Sequence, residues 1–322
     1  MRTTNIIVFF LAFSLLSAQD RPVSTYSIVA IDKESGEMGG AVQSHWFSVG
    51  SLVLWAEPGV GVVATQSFVR PEYGPELLKL FANSSASPEF ALKSLIKNDS
   101  EQNVRQIGAV NIDGESVSFT GKDCVAYASS IQGDGYAIQA NIMASPGVPE
   151  AMEKAYLSTE GPLADRLYAA LVAAENIGGD LRGKQSAAML IVPVKKVDNL
   201  LSSKIYDIRV DDSQDPLRDL SRLMQIQKAY IFANEGDILS AEGKLDEALN
   251  AYNQASELYP ENVELLFWGA VILCTDDKFD IAKPMFEKIF QINPSLKEMI
   301  PRLENHPMFP LNSETVKKIQ NL

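Results

Sequence analysis

Thiols and imidazoles are scarce in this sequence. Its 322 residues include two cysteines, Cys124 and Cys274, and two histidines, His45 and His306. That supply excludes a disulfide framework and a His-rich metal site. With no CxxC or HExxH pair either, no metal or other cofactor is expected. A phosphate-binding glycine loop, a Gly-x-Ser-x-Gly nucleophile elbow and a dinucleotide fingerprint are all missing, which removes three common catalytic platforms. Basic residues are in deficit, 28 Lys and Arg against 41 Asp and Glu, for a formal charge of −13. Nucleic acid is therefore excluded as a partner, because phosphate binding gathers cations on one face. The acidity reads as solubility.

What is present begins with MRTTNIIVFFLAFSLLSAQD. Arg2 precedes an apolar run from Ile6 to Leu16, followed by the small residues Ser17 and Ala18. As a helix that run would be about 17 Å long, short of a hydrocarbon core of about 30 Å. A cleaved secretory signal over residues 1–19 fits better than a retained anchor. No cysteine stands near the cut to carry a lipid, and no later stretch is long and apolar enough to span a bilayer. The expectation is a periplasmic or secreted protein with no membrane span after cleavage.

Period-two alternation and turn residues mark strands at Thr25–Ile31, Met38–His45, Ser51–Trp55 and Val60–Gln66. Helices follow at Tyr73–Ala82 and Pro88–Lys97, the second opened by Ser87 as N-cap with Pro88 in its first turn. Strands resume at Val104–Ile112, Ser116–Thr120, Cys124–Ser129 and Gly135–Asn141. Two more helices, Pro149–Ser158 and Leu163–Ile177, precede the strands in SAAMLIVPV and KIYDIRV. Hairpin-like strands between paired helices do not make βαβ units. They predict an α+β domain over residues 24–214, a four-layer αββα sandwich of two stacked antiparallel sheets with helices outside.

The tail, residues 215–322, repeats itself. Gly236, Ala248, Tyr252, Ala255 and Pro260 recur 34 residues later as Ala270, Ala282, Phe286, Ile289 and Pro294. Small and aromatic residues at these spacings let antiparallel helices pack closely, and the period is that of tetratricopeptide repeats. Two repeats plus flanking helices at Asp215–Tyr230 and Asn312–Leu322 predict a short all-α array. Its concave face is a candidate dock for a protein or peptide; a stabilising or dimerising appendage is the other reading.

The stretches TYSIVAIDKESGEMGGAVQSHWFSVGS, VLWAEPGVGVVATQSFVRPEYGPELL, GYAIQANIM, EGPLADRLYAAL and above all GGDLRGKQSAAMLIV resemble one family. It is the bacterial and archaeal family called domain of unknown function 1028, and YDIRVDDSQDPLRDLSRL resembles its C-terminal end. The resemblance runs from about Ser24 to Leu223. It implies the fold of N-terminal nucleophile hydrolases, the same αββα sandwich, and carries no established activity. In members without a signal peptide, the segment matching Thr25 often directly follows the initiator Met, whose removal exposes a Thr amine.

Thr25 is thus a candidate nucleophile, since a free α-amine beside a Thr hydroxyl can serve as its base. Here signal cleavage leaves residues ahead of Thr25, and a second cut between Ser24 and Thr25 is required. Ser27 is the rival, and an ordinary strand threonine is the third reading. His45 is either a proton carrier or a packed strand-end histidine. Gln139 and Asn141 share a strand face, where they either donate to a developing oxyanion or form a buried amide pair. Thr65, Gln66 and Arg70 stand at a strand exit, a common place for a site. In GGDLRGKQ, Asp180 can orient Arg182 to fork onto a substrate carboxylate, with Gln185 beside it, or the pair can tie a loop. Together these residues point to amide hydrolysis in a small peptide or amino-acid-derived substrate. The alternative is a non-catalytic binding or scaffold protein, and a homo-oligomer is compatible with both.

Overall fold

The computed structural model describes residues 25–84, 86–197 and 203–322. The signal segment expected at 1–19 lies outside them. A mixed α/β sheet domain is followed by a helical region. Among the described residues the strands are β1 (Thr25–Asp32), β2 (Glu37–Ser44), β3 (Leu54–Glu57), β4 (Gly61–Ser67), β5 (Arg105–Asn111), β6 (Ser116–Thr120), β7 (Ser129–Gly133), β8 (Tyr136–Asn141), β9 (Ser186–Pro193) and β10 (Tyr206–Val210). They form a larger sheet in the order β10-β9-β2-β1-β8-β7 and a smaller one in the order β3-β4-β5-β6. Every pairing is antiparallel.

Alternation along these strands separates three apolar layers. Val29, Val42, Val62, Val110 and Leu190 fill the space between the sheets. The opposite face of the larger sheet, with Tyr26, Ile28, Ile138 and Met189, packs on helices α4 (Val148–Ser158) and α5 (Leu163–Asn176). The opposite face of the smaller sheet, with Val63, Ile107 and Ala109, packs on α2 (Tyr73–Asn83) and α3 (Pro88–Ile96). Ser87 caps α3 by accepting the Phe90 amide, as the sequence implies.

Two expected strands differ. In Ser51–Trp55 the first half is a short helix, α1 (Gly50–Val53), and only Leu54 onward pairs. Val49 and Val53 face the inter-sheet core from one side of that turn, so helical spacing serves burial better than alternation. The expected strand Cys124–Ser129 is largely a loop, and β7 begins at Ser129.

The tail also departs from expectation at its start. Asp215–Tyr230 is not a separate flanking helix but the first part of α6 (Pro216–Ala241). Leu217, Leu220 and Met224 of α6 bury against the sheet domain, whereas Ala229 and Ala233 belong to the tail core. A boundary at residue 215 therefore cuts through the first core. Beyond it, α7 (Leu245–Leu258), α8 (Val263–Thr275) and α9 (Phe279–Ile292) stack antiparallel, and α10 (Ser313–Gln320) closes the chain. Of the repeating positions, Gly236, Ala248, Tyr252, Ala255, Ala270, Ala282, Phe286 and Ile289 are buried, whereas Pro260 and Pro294 are exposed just after α7 and α9.

Candidate functional site

Register brings four polar strand ends into one row. Thr25 stands opposite Ser44 on one side and Asn141 on the other, and Ser44 stands opposite Ser186. These four share the face of Val29, Val42 and Ala188, so alternation turns them toward the smaller sheet. All four are fully buried. The Thr25 hydroxyl donates to Ser44 Oγ at 3.2 Å.

Opposite this row, Gln66 of β4 and Gln106 of β5 pair in register and reach across the gap. Gln66 Nε2 donates to Gln106 Oε1 (2.8 Å) and to the Thr25 carbonyl (3.1 Å). Ser27 Oγ donates to Gln66 Oε1 (2.6 Å) and accepts from Gln139 Nε2 (2.7 Å). Asn141 Nδ2 donates to Gln106 Oε1 (2.9 Å), and Gln106 Nε2 to the Ala140 carbonyl (2.9 Å). A Cβ on Gly108 would lie 1.9 Å from Gln139 Oε1, so only glycine admits that amide between the sheets. Buried amides linked this way hold two sheets in one relative position, because losing a bond in a low-dielectric gap is costly.

The loop from α5 to β9 closes over the end of the row. Gly178, Gly179 and Gly183 all take positive φ there. Asp180, its carboxylate fully buried, accepts the backbone N–H of His45 (2.9 Å) and of Arg182 (2.9 Å). It also receives the Arg182 guanidinium at 3.1 Å. The loop is thereby stapled to the end of β2, with Arg182 partly exposed. Beneath it, Glu175 accepts from the Tyr26 hydroxyl (2.8 Å) and from Gln43 Nε2 (2.7 Å). Burial and the adjacent Glu175 carboxylate push the Tyr26 hydroxyl well above the usual phenol range. Residues next to both Thr25 and Ser44 are thus fixed from the helix side. Among the described residues, three of the five non-glycine residues with positive φ, Ser48, Ser67 and Ile142, also sit at this end, the pattern of a strained functional region.

The expected residues divide. Thr25, Ser27, Gln66, Gln139, Asn141, Asp180 and Arg182 meet here, with His45 beside them. His45 follows β2 rather than ending it, and its exposed ring stands near Gly183. Thr65 and Arg70 do not join the row. Alternation sends Thr65 to the opposite face from Gln66, where its hydroxyl donates to the Arg70 carbonyl, and Arg70 lies over the Tyr73 ring at 4.8 Å. Gln185 bonds outward to Asp212 (3.0 Å). Gln139 and Asn141, read as oxyanion donors or as a buried amide pair, both turn their amide nitrogens inward, to Ser27 and to Gln106. Ser44, Gln106, Glu175 and Ser186 were not anticipated. The signal for Gln106 is a glutamine on the same face as Gly108 and Val110, in a strand whose other polar residues, Arg105 and Asn111, stand at its ends. Among the described residues no cluster of three or more His, Cys, Asp and Glu could hold a metal ion, and no helix is long and apolar enough to cross a membrane.

Beside the row, Arg105 stands opposite Ser67 at the end of the smaller sheet. It pairs with buried Asp99 at 2.8 Å and donates to the Phe68 carbonyl at 2.6 Å. Burial opposes ionisation of Asp99, yet hydrogen bonds from Arg105 and Tyr73 bring its carboxyl down to about 2.

The family model described as a family of unknown function, DUF1028, matches residues 25–220. The chain belongs to this family. The DUF1028 match begins at the first residue of β1 and ends at Leu220, inside the part of α6 that seals the sheet domain. A tetratricopeptide repeat model matches residues 236–273. A DUF1028 protein from Silicibacter pomeroyi, known as a crystal structure, is 29% identical with a TM-score of 0.56, covering 63% of this chain and 85% of that one. No curated protein matches the chain.

Proposed function

We propose that this DUF1028 domain is an exported amide hydrolase of the N-terminal nucleophile type, with the four-layer αββα sandwich of that class. Its substrate would be a small peptide or amino-acid-derived amide, and its tetratricopeptide module would dock a protein or peptide. The observation that carries the reading is Thr25 at the head of the central strand β1. There its hydroxyl lies in a row of polar strand ends, under the Asp180–Arg182 loop.

A cut between Ser24 and Thr25 would free an α-amine within reach of the Thr25 hydroxyl. The amine takes the hydroxyl proton as Oγ1 attacks the substrate carbonyl, then returns it to the leaving amine. Arg182, held edge-on by Asp180, offers a planar cation to a substrate carboxylate. Ser27 is the weaker nucleophile candidate, since its hydroxyl is closed into the amide network on both sides. In the non-catalytic alternative the same row would be only a binding surface, favoured by a mature chain that retains residues ahead of Thr25.

Mass spectrometry of the exported protein tests the reading first, with a mature N-terminus at Thr25 expected. Thr25→Ala should then lower amide turnover at least a thousandfold, equivalent to about 4 kcal/mol on the barrier, with unfolding unchanged. Turnover surviving that substitution would remove the nucleophile assignment.

A further inference from the structure

The same end of the sheet domain carries an apolar rim. Three backbone segments lie side by side there. Ile142 and Met143 donate their N–H groups to the carbonyls of Val125 and Tyr127, at 3.0 and 3.2 Å. Leu181 donates to Ile142 O at 3.1 Å, and Ala144 to Gly179 O at 2.9 Å. Asp180 joins this set to the turn after β2 through the His45 amide. The side chains on these segments face solvent to an unusual degree: Leu181 is 66% exposed, Phe47 63%, Tyr127 52% and Val125 43%. With Ile177 they make five of the seven large hydrophobic side chains exposed among the described residues between 25 and 215.

Single exposed apolar side chains are ordinary on a protein surface, whereas a contiguous group beside a polar site marks a contact surface. The backbone here is costly to arrange. Ile142, β-branched, is held at φ 56° between Val125 and Leu181. Packing alone explains none of these tips, because they cover no core.

We infer that the rim selects the substrate, and that this is an amide whose acyl portion is bulky and apolar, aromatic or medium-chain aliphatic, joined to an amino acid with a free carboxylate. The inference rests on the reading of this end as the substrate site. Leu181 and Arg182 are consecutive in one loop, so an apolar group on Leu181 and Tyr127 leaves a carboxylate within reach of the Arg182 guanidinium. An acetyl group offers one methyl to such a surface, a phenylacetyl group a whole ring.

The test uses the full mature chain carrying Thr25→Ala, with N-acetylglycine and N-phenylacetylglycine as calorimetric probes. The phenylacetyl compound is expected to bind at least tenfold more tightly, and Leu181→Ser with Tyr127→Ser should erase that gain without moving the thermal midpoint. Equal affinities for the two probes, or a gain retained in the double variant, would overturn the inference. So would a change in mass by light scattering, which would make the rim a subunit interface. The two readings fail separately. Selective binding without turnover by the unsubstituted mature chain removes the nucleophile, while equal kcat/KM for both compounds removes the rim.

Discussion

The sheet domain and the helical tail bury their interiors in opposite ways. Of sixteen buried polar or charged residues among those described, fifteen lie in the sheet domain, and the tail has only Thr315. The tail fits small residues against aromatics: Gly236 admits the Tyr252 ring, and Phe286 lies edge-on to Phe267. Such packing needs no polar partners and recurs by simple spacing. The sheet domain instead spends buried hydrogen-bonding capacity at one end of an otherwise apolar gap. Stability alone does not call for that, since well-packed apolar groups do as well or better. The difference sets a polar end in the sheet domain against apolar repeat packing in the tail, with α6 shared by both cores.

Cutting the chain tests that sharing most severely. A chain ending at Asp215 loses Leu217, Leu220 and Met224 from the first core, at about 2 kcal/mol each. Together these approach the whole stability of a typical domain. It should lack a cooperative unfolding transition, whereas a chain ending at Lys228 should retain one by circular dichroism. If both chains unfold cooperatively, α6 belongs to the tail alone.

Next in size is the amide network. Gln66→Ala strips a partner from Ser27, Gln106 and the Thr25 carbonyl and leaves a cavity. Urea unfolding should register a loss of about 4 kcal/mol. A loss under about 1 kcal/mol would mean that the gap rehydrates and that the network holds nothing in place.

The third comparison is one of pH. The Asp99 carboxyl is depressed to about 2, below its ordinary value of 3.8, so its contribution is complete above pH 4 and is lost as pH falls through 2. Wild type should lose about 2 kcal/mol more than Asp99→Asn between pH 5 and pH 2, measured by urea midpoint. Parallel curves would show that the Arg105 pair adds no pH dependence.

The smallest effect belongs to the tail. Alanine for glycine inside a helix ordinarily gains up to about 1 kcal/mol. In Gly236→Ala the new Cβ would fall 2.8 Å from the buried Tyr252 ring, so a net loss of about 1 kcal/mol is expected by thermal unfolding. A stabilised variant would mean that the two helices separate readily.

Much of this was legible in the residues themselves. Alternation marked β1 and β2 and an apolar run marked β9, because side-chain period and local hydrophobicity are properties of a short extended stretch. Ser87 with Pro88 marked the start of α3, and the 34-residue recurrence marked the helix pairs, since capping and close packing both act over short spans. Register was not local. Nothing near Thr25 in the chain indicates Ser44, Asn141 or Ser186 as its row, and nothing near Glu175 indicates Tyr26, 149 residues away. Only sheet pairing decided that Gln66 points inward while Thr65 points out, and that both Gln139 and Asn141 are consumed by the network. Strand propensity and amphipathic spacing determine which elements form. Which polar ends meet depends on how two sheets stack, and that is decided by burial summed over the whole molecule.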